Sequence, residues 1–314
     1  MKLVTFQPPR GGPRAGALLP GGKILDLQAA HRDRYGKGSP KLASVLAMAE
    51  AGDEALELAL SLARKHRKAA LVPEGKTRLL APIPCPPQMR DFLCFEKHLV
   101  QAFEAVAKLR GTPARIPEVW YERPIFYHPN RFSVCGPEAD VPWPSYTERL
   151  DFELEFGCYI GRPGKDIAKG KARGHIFGYT IFNDFSARDE QTKEMAGQLG
   201  PGKGKDFDNA NAMGPCLVTA DELRDPYRLE MKVRVNGEEW GRGNSRDMRW
   251  KFEDCIAHVS RSETLHSGEF LGSGTVGNGC GLESLRFLKP GDTVELEVEG
   301  IGVLRNRVVQ AGAR

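Results

Sequence analysis

Between Leu150 and Phe156 the chain reads Leu-Asp-Phe-Glu-Leu-Glu-Phe, a strict alternation of apolar and acidic residues. A period of two belongs to a β-strand, whose successive side chains leave on opposite faces. Asp151, Glu153 and Glu155 are expected on one face, with Phe152, Leu154 and Phe156 packing on the other. Residues two apart on a face are roughly 6.5–7 Å apart along the strand, too close for carboxylates to share a dry site without a cation. The plain alternative is a solvated outer face on an edge strand. The strand alone does not choose between them.

The surrounding chain is strand-rich. Short β-type runs recur at 124–127, 151–160, 174–183, 215–219, 230–235 and 293–299, each bounded by Gly, Pro or Asn. The turn at 300–302 leads into 303–309 and predicts a closing hairpin. An amphipathic helix is expected over 96–110, stopped by Gly111 and Pro113. No strand–helix alternation of the parallel type is visible. The fold class predicted is therefore α+β, mainly β: a mixed β-sandwich roll with a few inserted helices. Ahead of it, short strands at 3–6, 15–19 and 23–26 precede a helical stretch over about 42–68, broken near Gly52, with Leu56, Leu60 and Ala63 at helical spacing. Prolines 73, 82, 84, 86 and 87 then mark a boundary near Leu80. Residues 1–80 are expected to form a small N-terminal α+β domain and 81–314 the main domain.

Composition narrows the function classes. A net charge of +4 with no long basic run gives no footing for nucleic-acid binding. No apolar run is long enough for a membrane span, and MKLVTFQPPRGG lacks a signal-peptide core. Seven scattered cysteines without a C-x-x-C pair point to reduced thiols and a cytoplasmic location.

Two glycine motifs fail on context. Gly272–Gly277 matches G-x-G-x-x-G, but no pyrophosphate-binding helix fits before the turn at Lys289. Residues 197–203 match G-x-x-x-x-G-K, but Gly204 stands where Ser or Thr should bind magnesium. Three polar segments are more coherent: Arg90 to His98, with Asp91 among apolar neighbours; Asn183-Asp184-Phe185-Ser186-Ala187-Arg188-Asp189-Glu190-Gln191; and Gly204 to Asp208, with Lys205. Singly, Asp91 or Asp184 reads as a helix N-cap, His98 as a satisfied histidine and Lys205 as a solvated lysine.

Together with the D-x-E-x-E strand and the closing L-K-P-G-D…E-G-I-G-x-L-R-N segment, they resemble the fumarylacetoacetate hydrolase family from about Asp91 to Arg307. The resemblance implies a β-roll catalytic domain behind a small N-terminal domain, usually in homodimers, and a divalent cation, Mg2+ first, with Mn2+ or Ca2+ as alternatives. It implies Asp91, Glu153, Glu155 and Asp184 as metal ligands, with Asp151 outside the ligand set. An all-carboxylate oxygen set suits such a hard cation. His98 and Glu283 would be the water-activating dyad, and Arg188 and Lys205 would offset a developing oxyanion. Gln191, Tyr127 and Thr275 would face the substrate.

The expected reaction is metal-dependent hydrolysis of a C–C bond in a small β-diketo acid or acylpyruvate. Gln101 stands where shorter family members carry the Glu of a His-x-x-Glu pair, which favours the Glu283 dyad. Met195 replaces an aromatic residue of fumarylacetoacetate hydrolases and argues against that substrate itself. A decarboxylase or isomerase of 2-oxo acids on the same metal site is the alternative. A non-catalytic metabolite-binding β-sandwich is a third.

Overall fold

The structure, a computed structural model, describes residues 1–72, 77–111, 113 and 115–310. Pro73, the first proline of the expected boundary, lies outside them. The fold is mixed α+β and strand-rich. Among the described residues a twelve-stranded sheet and a five-stranded sheet dominate.

At the centre of the larger sheet lies strand Leu154–Ile160, between the antiparallel strands Ile176–Asp184 and Phe270–Gly272. Met89–Phe92 and then Phe126–Tyr127 continue the order on the second side. The period of two holds here. Leu154, Phe156 and Cys158 enter a core that also contains Met231, Val233, Leu296 and Leu304 of the smaller sheet. Tyr159 faces the other way, into a second core with Phe182, Phe270, Leu217 and the apolar residues of the first 80. One strand thus supplies both cores, and the whole Leu154–Ile160 segment is buried.

The helix Glu96–Arg110 has the expected bounds, and Gly111 ends it in the left-handed region at φ 68°. The helical stretch before the boundary is broken at Gly52 into Val45–Ala51 and Asp53–Arg64. Its buried face is one residue off the expectation. Ala55, Ala59 and Leu62 are fully buried, while Leu56, Leu60 and Ala63 are half-buried. Small alanines let the helix approach the neighbouring helices Leu27–Tyr35 and Val45–Ala51, and the larger leucines close its flanks. Helix Leu27–Tyr35 was not foreseen, although Asp26 caps it by accepting from the Ala29 N–H at 2.9 Å, and Gly36 ends it at φ 75°. No helix of the described residues is long and apolar enough to cross a membrane.

Strand Lys2–Gln7 lies between Arg14–Leu18 and Asn211–Thr219, with Lys2 opposite Val218, so the larger sheet runs through both sides of the expected boundary. We propose the division near Leu80 as one of folding units, and truncation tests it. Removing residues 1–80 would uncover Leu217, Met213, Phe182 and Phe270, and burying each such side chain is worth about 1.5–3 kcal/mol. The expected outcome is a folded but markedly destabilised fragment by circular dichroism and denaturant titration. A wholly unfolded fragment would make the first 80 residues integral to the main domain.

Candidate active site

Neighbouring strands deliver acidic side chains to one place. Asp91 comes from Met89–Phe92, Glu155 from Leu154–Ile160, and Asp184 closes Ile176–Asp184. Asp91, Glu155 and Asp184 each offer an oxygen within 4.8 Å of the others. Asp91, Glu153, Glu155 and Asp184 are 4%, 5%, 0% and 0% exposed, which rules out the solvated-face alternative. Gly272 stands opposite Asp91 in the sheet, and a Cβ there would lie 2.3 Å from Asp91 Oδ1. The first glycine of the G-x-G-x-x-G run therefore admits a carboxylate instead of a pyrophosphate.

Two cations reach this cluster. Lys205 Nζ donates to Glu153 Oε2 at 2.6 Å and Asp184 Oδ2 at 2.5 Å. Arg188 Nη1 lies 2.8 Å from Glu153 Oε1. Arg188 also donates through Nε to Asp151 Oδ2 at 2.8 Å and through Nη1 to Gln191 Oε1 at 3.0 Å. Tyr127 donates its hydroxyl to Asp184 Oδ2 at 2.6 Å, and Thr275 Oγ1 lies 3.4 Å from Glu155 Oε1. Every residue expected at the metal or near the substrate is thus brought to one site. Glu153 differs from the other three acids in that each of its oxygens already meets a cation.

Electrostatics follow from that difference. Burial raises Glu153, but Lys205 and then Arg188 carry it below the usual carboxylate range. Burial, with Asp184 beside it, pushes Asp91 up to about 8. Burial pushes Asp184 up to about 6 against the pull of Lys205. Glu155, buried beside Asp91, is held well above its ordinary value. Burial opposes the Lys205 ammonium, yet Asp184 and Glu153 keep it charged.

His98 and Glu283 meet across the fold, Nδ1 to Oε1 at 2.8 Å. Glu283 Oε2 also accepts from the Cys280 N–H at 3.3 Å, which closes a capping box on the short helix Gly281–Ser284. Asp151 had no role in the ligand set expected from sequence. Its carboxylate accepts from the N–H groups of Gly281 at 2.7 Å and Leu282 at 2.9 Å while holding Arg188. It therefore ties the Glu283 turn to the Arg188 segment. This also breaks the expected 151–160 strand: Leu150–Asp151 pairs with Ser186–Ala187, and Glu153 makes a single bridge to Cys280. Nothing local in the sequence distinguished Asp151 from Glu153 and Glu155; only its partners do.

The acidic cluster suits a hard divalent cation. Glu155 Oε2 and Asp184 Oδ1 are buried without a hydrogen-bond partner among the described residues, and the donors are all oxygen. His98, Cys280 and Glu283 also lie within metal-ligating distance of one another. There burial raises the Cys280 thiol and keeps it protonated, and His98 is already paired with Glu283, so a hydrogen-bonded dyad fits better than a metal.

Residues 89–309 match the family model described as fumarylacetoacetate (FAA) hydrolase, C-terminal. The chain is 34% identical over 314 residues to the human protein named oxaloacetate tautomerase FAHD2A, mitochondrial, covering 98% of this chain and 92% of that one. It is 31% identical over 302 residues to oxaloacetate tautomerase YisK of Bacillus subtilis (strain 168), covering 93% and 95%. Among solved structures it resembles the fumarylacetoacetate hydrolase (EaFAH) from psychrophilic Exiguobacterium antarcticum, with a TM-score of 0.76, 26% identity and 99% of each chain covered.

The raised carboxyls make cation binding visible in stability. Asp91 and Asp184 bind protons more tightly folded than unfolded, from an ordinary value of 3.8. Their contribution is present below about pH 4 and is lost as pH rises through about 6 and about 8. Chelator-treated protein should thus lose their contribution to the melting temperature over that window. Added Mg2+ should raise the melting temperature more at about pH 8 than at about pH 5 and release protons, because the ion needs the deprotonated ligands. Scanning calorimetry showing no Mg2+ effect at either pH would count against a cation site.

Proposed function

The chain belongs to the fumarylacetoacetate hydrolase family, and on that footing we propose that it is a divalent-cation-dependent keto–enol tautomerase of a 2-oxo dicarboxylate of the oxaloacetate type. The observation that carries this reading is a histidine–carboxylate dyad joined to a buried all-oxygen acidic cluster through Cys280, which lies against His98 and bridges Glu153. Full-length similarity to proteins named oxaloacetate tautomerases supports the substrate class.

Asp91, Glu155 and Asp184, with Glu153, would hold the cation, and their oxygen donors favour Mg2+. When bound, it supplies Lewis acidity that polarises the 2-oxo group. His98 donates its Nδ1 proton to Glu283, which leaves Nε2 with a lone pair. That nitrogen takes the C3 proton, the C3–H electrons move into the C2–C3 bond, and the carbonyl oxygen becomes an enolate. Glu283 stabilises the resulting imidazolium, which returns the proton to oxygen and completes the enol; the reverse sequence gives the ketone. Arg188 and Lys205 keep Glu153 and Asp184 ionised and offset the developing negative charge. Tyr127 and Gln191 orient Asp184 and Arg188 from the substrate side.

Hydrolysis of an acylpyruvate is the second reading, because the same dyad can take its proton from water. The two separate by product. Tautomerisation consumes enol absorbance with no new acid, whereas hydrolysis releases pyruvate and a second carboxylate in equal amounts. We expect faster decay of enol oxaloacetate with Mg2+, lost on chelation. His98→Ala should lower this rate on the order of 10²–10⁴-fold with Mg2+ affinity unchanged, and Glu283→Gln should do less harm. A chain that leaves enol decay at its spontaneous rate but releases pyruvate from acylpyruvates would reverse the order of the two readings.

A further inference from the structure

Within that reading His98 acts only while its helix holds it against Glu283, and we infer that Gln101 and Asn278 form the clamp that holds it there. The dyad joins residues 185 apart in sequence, so its 2.8 Å contact depends on how the helix Glu96–Arg110 docks. Its start is anchored, since Phe95 belongs to the main core and Leu99 is 5% exposed. Among the described residues of the helix beyond Leu99, none belongs to either large core. Its apolar support is a small separate cluster of Ala105, Cys280 and Leu282, with Ala102, Val106 and Phe287 around it. Val100 and Leu109 are 42% and 45% exposed. So thin a contact leaves the helix axis free to pivot unless something else fixes it.

Gln101 lies one turn after His98 and shares its side of the helix. Its Nε2 donates to Asn278 Oδ1 at 2.8 Å, and its Oε1 accepts from the Asn278 N–H at 3.1 Å. The backbone N–H can only donate, so it fixes which way the Gln101 amide faces, and that in turn fixes the Asn278 amide. The remaining donor, Asn278 Nδ2, reaches the carbonyl of Arg242 at 3.2 Å, in strand Glu238–Asn244 of the smaller sheet. Asn278 sits at φ 65°, a left-handed conformation that asparagine tolerates better than most residues. A Cβ on neighbouring Gly277 would lie 2.7 Å from the Lys97 side chain, so the first turn of the helix rests on the same loop. The clamp therefore runs from the smaller sheet through Asn278 and Gln101 to the turn that carries His98. Cys280 and the short helix that carries Glu283 follow directly in the chain, so one short segment sets both partners of the dyad. A neutral amide pair does this without another charge beside the carboxylates, and it does not titrate near neutral pH. Gln101 and Asn278 are positioning residues, not catalytic ones.

Rates and backbone exchange test this together. Gln101→Ala and Asn278→Gly should each lower kcat about tenfold with KM within about twofold, since losing hydrogen bonds misplaces the base without removing substrate contacts. Asn278→Asp keeps an acceptor for Gln101 but sets a carboxylate oxygen against the Arg242 carbonyl in place of a donor, and should lower kcat as Asn278→Gly does. In a Glu283→Gln background, Gln101→Ala should add little further loss, because both act through the orientation of His98. Amide hydrogen exchange over 96–110 should quicken in Gln101→Ala while Mg2+ affinity stays unchanged. Full kcat in Gln101→Ala and Asn278→Gly, beside an impaired His98→Ala, would overturn the inference and leave the dyad standing. So would unchanged exchange over 96–110. Wild-type rates for His98→Ala would overturn the dyad itself, and the clamp's catalytic part with it.

Discussion

Five buried carboxylates, Asp91, Asp151, Glu153, Glu155 and Asp184, face two buried cations, Arg188 and Lys205. Burying ionised groups without compensation is costly, and the usual remedies are pairing, protonation or a bound metal. This site divides its acids among them. Asp151 and Glu153 are paired with Arg188, and Lys205 bridges Glu153 and Asp184. Among the described residues Asp91 and Glu155 face no such partner at bonding distance, and they are the acids pushed furthest toward the protonated form. The surplus is a property of the fold, because each acid is placed by a strand or a strand end and cannot swing out to water. A divalent cation would resolve it with the charge that the protein leaves unsupplied.

Asp151 shows how this electrostatic arrangement is coupled to the His98–Glu283 pair. Its carboxylate closes on the Gly281 and Leu282 amides at the start of the Glu283 turn and on the guanidinium that reaches Glu153. Charge balance in the acidic cluster and the place of Glu283 thus share one side chain. Enolisation and C–C hydrolysis both require negative charge to develop beside such a cluster, which explains how one scaffold serves relatives of different reaction types.

Much of this was legible in the sequence. Period-two alternation gave the strand, and Gly111 with Pro113 gave the end of the His98 helix to the residue. The residues expected at the site were found together because their motifs, read jointly, matched a family. Three features lay out of reach for physical reasons. Asp151 departs from its strand because of hydrogen bonds to residues 130 and 131 positions away. The face of helix Asp53–Arg64 follows its alanines because close approach to the helices Leu27–Tyr35 and Val45–Ala51 outweighed leucine hydrophobicity. The glycine run at 272–277 could be excluded as a nucleotide loop, but its fit against Asp91 and Lys97 is a matter of packing that no local pattern records.

The first strand carries a consequence for how the chain comes into being. Thr5, Phe6 and Gln7 pair with Leu80, Leu79 and Arg78, but Lys2 pairs with Val218 and Leu3 with Leu217, so the first residues of the opening strand wait for a partner made more than 200 residues later. At about 5–20 residues per second, synthesis leaves that edge open for on the order of 10–40 s. Strand Phe270–Gly272 is later still, yet it must enter between Leu154–Ile160 and Met89–Phe92. Such long-range closures fold slowly and expose unpaired edges to other nascent chains. The acid-rich site is thus among the last parts of the molecule to assemble, since Asp91 and Glu155 lie on the two strands that Phe270–Gly272 must join.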